Sequence, residues 1–444
     1  MYQTDFTQDE LHARRRRLCE AMGSGAVALL PGAPGPKGDE AFCQYKDFYY
    51  LCGIEAPRAY LLIEGGSGRT TVFLPRASQV EKQSTKPVAC VENADLVRER
   101  SGVDSVRGWE DLAQYLDRAL VVYLPFEDGE ARTINRHHAR SWAVAQAADP
   151  WDARLTRAAQ LIETVRRQFP PLEVRNLSPL MDELRVIKSP AEIALLRRAG
   201  RLTAVGIIEA MRSTRPGVME YQLDAVMRYH YLAGGAKDRA YNAIIAGGEN
   251  SFYGHYFAKD CPLNDGDIVL ADCAPDYHDY TSDIGRMWPV NGAYSEVQRA
   301  LYGFVVEYHK VLLELIRPGR MVAEIHAEAA ERMRVVLADW TFATPAHKDA
   351  ARAMFDFGGH LSHCVGLTVH DGGLHYSRPL EPGMVFSVDP QFFLPDERLY
   401  YRVEDTIVVT EGGLENLTVE APLELDDVEA LMREEGLLQT VPAQ

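Results

Sequence analysis

The chain has 444 residues, 46% of them apolar and 25% charged, and carries a formal charge of −17. These proportions belong to an ordinary globular protein with room for two or three domains, and the acidic balance argues against nucleic acid as a partner. No apolar run approaches the ~18 residues of a membrane span, and the first residues lack the basic and apolar regions of a secretory leader, so the cytoplasm is the expected location.

Taken in order, the chain opens with a capping box, Thr7 with Glu10, leading a helix whose Arg14-Arg15-Arg16-Arg17 reads as a solvated face. A strand over 26–30, a Gly/Pro loop over 32–38 and a hairpin of 60–64 with 70–74 around Gly65 to Gly68 follow. Helical and strand patterns then alternate over 109–119, 121–124 and about 152–169, with His137 and His138 on a helix surface. Residues 1–175 thus read as an α/β domain without a catalytic constellation. The seven cysteines are scattered and contain no Cys-x-x-Cys, which offers neither a disulfide framework nor a zinc cluster.

A Pro-rich stretch over 169–179 reads as the linker to a second domain, 176–444. That domain starts a helix at the capping box Ser189/Glu192 with Pro190 in the first turn. It then shows a duplication. A helix ending in Arg215-Pro216-Gly217, a second helix and a hairpin are repeated after Arg317-Pro318-Gly319, with Met219/Met321, Leu223/Ile325 and Ala225/Ala327 at matching offsets.

Each hairpin carries two acids, Asp272 with Asp283 and Asp389 with Glu404, and in both pairs the midpoint falls in the turn. A symmetric register places such acids opposite each other, with Cβ atoms ~5 Å apart. Like charges so held in apolar strands call for a cation between them, and four convergent carboxylates make an oxygen-rich divalent metal site. Between the hairpins lie His360, His363 and His370 in a Gly-rich apolar stretch, and His255 precedes the first hairpin. An imidazole added to the acids suits Mn²⁺, Co²⁺ or Zn²⁺ better than Ca²⁺. His360 reads as a core residue instead.

Asp272, Asp283 eleven residues on, His363 in Ser-His-x-x-Gly, an acid after Glu-Pro-Gly-Met-Val, and Glu404 in Arg-Val-Glu-Asp together resemble the pita-bread metallopeptidases. The chain is most similar to the X-Pro aminopeptidases (aminopeptidase P) and their prolidase relatives, and 48–54 and 73–76 resemble that family's N-terminal domain. The resemblance implies an α/β N-terminal domain and an α+β pita-bread catalytic domain with a pseudo-twofold internal duplication. It implies two divalent metal ions, Mn²⁺ first and Co²⁺ or Zn²⁺ next, bridged by Asp283 and Glu404. Asp272 would chelate one ion, and His363 with Asp389 would bind the other. His255 and His370 would contact substrate, Arg402 would orient Glu404, and a hydroxide shared by the ions would attack the bond before a proline in second position. Peptides with proline in that position are the implied substrates, and a homodimer or homotetramer the implied assembly.

Three departures stand out. Asp389 replaces the family's Glu, Gly359 stands where the family has His, and Cys273 and Cys364 directly follow two of the expected ligands. The alternatives to the aminopeptidase are an Xaa-Pro dipeptidase, a same-fold hydrolase of other specificity, and a catalytically silent pita-bread binding protein.

Overall fold

The computed structural model describes residues 2–36, 41–77 and 89–440, so the end of the 32–38 loop lies outside the described residues. The chain divides between Arg185 and Val186, beyond the expected boundary at 175. The reason is local. The stretch read as a linker contains a strand, Glu173–Asn176, that pairs in parallel with Val121–Leu124, and the helix Ser178–Val186 follows it.

In the first unit β1 (Ala26–Pro31), β2 (Tyr60–Glu64), β3 (Thr70–Leu74), β4 (Ser105–Gly108), β5 (Val121–Leu124) and β6 (Glu173–Asn176) form one sheet in the order β4-β3-β2-β1-β5-β6. β2 and β3 make the expected antiparallel hairpin, with Ile63 opposite Thr70. Val27, Leu29, Leu62, Phe73, Val122 and Leu124 from its strands meet Leu116 and Val165 in the core. The helix expected over 152–169 is shorter, Arg157–Gln168, because the Thr156 hydroxyl caps it by accepting from the amide of Ala159.

The arginine run is not a solvated face throughout. Arg16 and Arg17 are exposed, but Arg14 and Arg15 are buried beside Leu11 and Leu18. Their guanidiniums serve helix C-termini, whose last carbonyls have no partner within the helix. Arg14 donates to the carbonyl of Tyr50 at 3.0 Å, and Arg15 to those of Leu51 at 3.2 Å and Gly102 at 2.8 Å.

The second unit contains β7 (Asp238–Arg239), β8 (Ile244–Gly247), β9 (Ile268–Asp272), β10 (Pro275–Asp276), β11 (Ile284–Pro289), β12 (Leu361–Cys364), β13 (Val385–Val388), β14 (Gln391–Leu394), β15 (Leu399–Arg402), β16 (Glu404–Thr410) and β17 (Gly413–Asn416). Its main sheet runs β12-β13-β16-β11-β9-β8, with β17 on β16. Four long helices, Pro190–Ser213, Glu220–Ala233, Glu296–Leu315 and Val322–Asp339, lay Met211, Leu223, Phe304 and Ile325 into one core with Leu270, Met287, Phe386 and Ile407 of the strands.

The duplication is visible in the backbone. Gly217 and Gly319 turn the chain at φ 91° and 84°, a region open to glycine. Met219 and Met321 then cap their helices with φ, ψ of −83°, 145° and −81°, 142°. Gly266 and Gly383, at φ 86° and 89°, lead into β9 and β13. β11 and β16 lie side by side at the centre, flanked by β9 and β13, so each half contributes two strands to the middle of the sheet.

Among the described residues, several histidines are buried in this unit. Burial pulls the imidazoles of His309, His360 and His375 down to about 4. The unfolded chain then binds these protons more readily than the folded one. Each histidine contributes stability that is present above about 6.5 and lost as the pH falls toward about 4. We expect His309→Phe to flatten the fall in melting temperature between pH of about 7 and about 4.5; a slope equal to that of the unmodified chain would contradict the assignment.

Candidate metal centre

The acids arrive at one place because of the strand register. Asp272 ends β9 and lies opposite Gly285 of β11, and Gly285 in turn lies opposite Glu404, the first residue of β16. The glycine therefore separates two carboxylates across the sheet. A Cβ at Gly285 would come within 3.0 Å of the Glu404 Cβ and 3.4 Å of Arg402 Nε, so the space above this strand belongs to its neighbours.

Asp283 immediately precedes β11. It is not directly opposite Asp272, as a symmetric hairpin required, because the register is offset by two residues. Side chains two apart share a strand face, so both acids still point the same way. The hydroxyl of Tyr241 spans them, 2.8 Å from Asp272 Oδ1 and 2.6 Å from Asp283 Oδ1, with its single proton between the two carboxylates. The second pair keeps the expected register. Val388 faces Asp405 and Gln391 faces Arg402, which brings Asp389 and Glu404 opposite each other at the junction of β13–β16 with β14–β15. These segments make two adjoining ladders rather than one hairpin, and Pro390 at the junction has no amide hydrogen to continue the first.

His363 on β12 completes the group. Its Nε2 lies 3.4 Å from Asp283 Oδ2 and 4.0 Å from Glu404 Oε1, and one donor atom from each of these three residues lies within 4.8 Å of the others. Burial lowers the pKa of His363, which keeps the imidazole neutral and available as a ligand. Asp283 and Asp389 are pushed well above the usual carboxylate range, first by burial and next by the charge of Glu404. Burial and the two aspartates likewise raise Tyr241, which keeps its phenolic proton.

One guanidinium faces all this charge. Arg402 pairs with Asp272, and lies 3.6 Å from Glu404 Oε2 and 3.7 Å from Asp389 Oδ1. Four carboxylates against one arginine leave an excess of buried negative charge. Asp389 Oδ1 and Glu404 Oε2 are buried without a hydrogen-bond donor. Such oxygens are costly unless something positive meets them. The residues present therefore fit a divalent cation.

Asp389, His363 and Arg402 line a cleft of about 820 Å³ together with His255 and His370, whose ring centroid lies 4.1 Å from that of His363. Its other walls are mostly aromatic and apolar, from Phe252, Tyr253, Met354, Phe357, Phe393 and Tyr400, with Ser362 and Gln391 as polar residues. A side chain at Gly359 would run into Phe357, whose ring carbon lies 2.5 Å from an added Cβ. His360, next along, turns away into the core, with Nε2 2.7 Å from the carbonyl of Met354.

The profile of metallopeptidase family M24 matches residues 194–411, and that of the aminopeptidase P N-terminal domain matches residues 11–123. The Xaa-Pro aminopeptidase of Escherichia coli is 32% identical across 97% of this chain and 98% of its own length. The chain belongs to metallopeptidase family M24. The Xaa-Pro aminopeptidase of Haemophilus influenzae is 36% identical, covering 97% of this chain and 99% of its own. The low-pH form of E. coli aminopeptidase P superposes with a TM-score of 0.80 at 29% identity, over 97% and 99% of the two chains. The arrangement of helices and strands around the paired central strands is accordingly the pita-bread fold of the M24 peptidases, preceded by their α/β N-terminal domain.

Some of the site has no motif in the sequence. Tyr241 stands in a loop, and its place over two aspartates follows only from the fold. Ser387 donates to Glu404 Oε1, and Gln391 donates to Asp389 Oδ2 at 2.7 Å; strand alternation from Asp389 puts both residues on its face. The cysteines after the acids and the histidine do not join them. Alternation sends Cys273 toward Tyr231 and Met227, and Cys364 toward His375, on the opposite side of the strands. All seven cysteines are free.

Proposed function

We propose that the chain is an Xaa-Pro aminopeptidase with two divalent ions, Mn²⁺ first and Co²⁺ or Zn²⁺ as alternatives. Asp283 and Glu404 would hold both ions, Asp272 one of them, and His363 with Asp389 the other. The observation that carries this reading is the pair of buried carboxylate oxygens without a donor, Asp389 Oδ1 and Glu404 Oε2, in a ring of acids beside an open cleft.

When bound, two such ions supply Lewis acidity toward a carbonyl and a nucleophile at neutral pH. The remaining work falls to the chain. Tyr241 keeps Asp272 and Asp283 in one orientation, and Ser387 does the same for Glu404. Arg402 balances part of the charge and orients Asp272 and Glu404. Asp389, which lines the cleft, would be the acid that carries a proton to the leaving nitrogen. That proton matters because the nitrogen of an Xaa-Pro bond has no hydrogen of its own. His255 and His370, on the cleft wall, would contact the substrate there. Likeness to Xaa-Pro aminopeptidases over nearly the full length favours peptides with proline in second position over dipeptides alone.

We propose cytoplasmic action, and among the described residues no helix is long and apolar enough to cross a membrane. A homodimer or homotetramer is our proposed assembly. Its support is the helix Arg136–Ala148 of the first unit, where Trp142 is 61% exposed, followed by Trp151 at 95%. Aromatic side chains are enriched at subunit interfaces.

The test is metal content by mass spectrometry beside cleavage of Gly-Pro and Arg-Pro-Pro by the Mn²⁺-loaded chain. Two ions with cleavage of the tripeptide alone is the expected result. Cleavage of the dipeptide would turn the reading to an Xaa-Pro dipeptidase, and a chain that takes up no metal would end the enzyme reading.

A further inference from the structure

The cleft wall that carries His255 has little structure of its own. After β8 the chain makes one 3-10 turn, Gly248–Phe252, and continues to Cys261 without a strand or helix. This segment supplies Phe252, Tyr253, Gly254 and His255 to the cleft. It is fastened at its beginning, middle and end by a single side chain outside the cleft.

That side chain is Glu220, the first residue of the helix Glu220–Ala233, with no exposed surface. Its Oε1 accepts from the amide of Gly247 at 2.8 Å and from Asn250 Nδ2 at 3.0 Å. Its Oε2 accepts from the hydroxyl of Tyr256 at 2.9 Å and from the amide of Cys261 at 3.1 Å. The helix start returns the contact, since the amides of Glu220 and Tyr221 donate to the carbonyls of Cys261 and Lys259 at 3.1 Å each. Lys259, at φ 55° and nearly buried, then reaches Asn242 Oδ1 at 2.8 Å and the carbonyl of Ala243 at 3.0 Å. The segment bearing Tyr241 is tied to the same hub.

Glu220, Asp260 and Cys261 bring donor atoms within 4.8 Å of one another, as a cation site would. The hydrogen bonds decide between the two uses. A carboxylate has about four lone-pair positions, and four donors already fill those of Glu220. A cation would have to displace two backbone amides from their acceptor. The cluster is a fastening.

We infer that Glu220 is a positioning residue, which sets substrate affinity by holding the 247–261 segment, and with it His255, against the cleft. The inference rests on the Xaa-Pro peptidase reading for its kinetic part and on the structure alone for the rest. Glu220→Gln keeps the size and turns one acceptor into a donor. Because donors face both oxygens, one backbone amide then loses its partner whichever way the amide turns. Tyr256→Phe removes a single donor and leaves the carboxylate in place.

The experiment uses the full Mn²⁺-loaded chain. Hydrogen exchange in 247–261 should quicken roughly tenfold in Glu220→Gln, while exchange in β9 and β11 stays as it was. For Arg-Pro-Pro, KM should rise about tenfold with kcat within about twofold, and Tyr256→Phe should shift KM in the same direction by less. A loss confined to kcat, a KM that does not move, or unchanged exchange in 247–261 each overturns the inference. If the parent chain cleaves no Xaa-Pro peptide, the functional reading fails, and the exchange measurement still decides whether Glu220 holds the segment.

Discussion

Glu404→Gln should lower kcat/KM for Arg-Pro-Pro by about 10³-fold or more while leaving the fold intact. Glu404 is the carboxylate at the centre of the group, opposite Gly285, in line with Asp389 and 4.0 Å from His363 Nε2. We assign it to both ions. On that proposal, loss of the charge would remove several kcal/mol of the stabilisation that a metal pair would give the transition state, and each ~1.4 kcal/mol is a factor of ten. Folding of the metal-free chain should not suffer, because the substitution removes a buried negative charge that raises the carboxyls of Asp283 and Asp389. Kinetics, metal stoichiometry and a melt together check this. An active variant, or one that keeps both ions at parent affinity, would show that Glu404 has been misplaced.

The residue after it has the opposite expectation. Asp405→Ala should destabilise the second unit by about 3–5 kcal/mol, the usual cost of stranding a buried charge. Asp405 points away from the acid ring into the core, where Oδ1 meets Arg286 Nη2 at 2.7 Å and the Thr418 hydroxyl at 2.6 Å, and Oδ2 meets Asn416 Nδ2 at 3.0 Å. Burial alone would raise its carboxyl, but Arg286, His309 and Thr418 together hold it below the ordinary value. Arg286 also donates to the carbonyl of Glu404 at 2.7 Å, which ties the site to the core. A unit of this size should lose about 10 °C in melting temperature. Adding Arg286→Met should restore part of it, since a buried ion pair is often replaced by apolar groups at little cost. A single variant that melts with the parent chain would refute the pair's structural role.

The sequence revealed the acids because each pair is spaced about a turn, and because strand runs with their preceding glycines repeat in both halves. It revealed the duplication for the same reason: Arg-Pro-Gly turns and helix-capping methionines are local signals. It did not reveal the offset of the first hairpin, since a register depends on how β9 and β11 settle between β8 and β16. It misread Arg14 and Arg15, because a charged run looks like surface until the helix C-termini that need donors are known. It missed the strand at Glu173–Asn176, where two prolines nearby resemble a linker and only pairing with β5 makes the strand. Tyr241 and Glu220 were illegible for one shared reason. Their partners lie on other elements, and neither spacing nor residue type marks them in the chain.

The layout of the acid ring also orders the way the molecule forms. Asp272 and Asp283 are neighbours within one hairpin, but the pairing of Arg402 with Asp272 spans 130 residues and that of Arg286 with Asp405 spans 119. Closing loops of that length costs entropy before any contact repays it, so such pairings come late. Each half can therefore collapse around its own two carboxylates first, and the two pairs meet only when β11 and β16 zip together. Binding of cations would act on that last association, stabilising the joined halves far more than either half by itself.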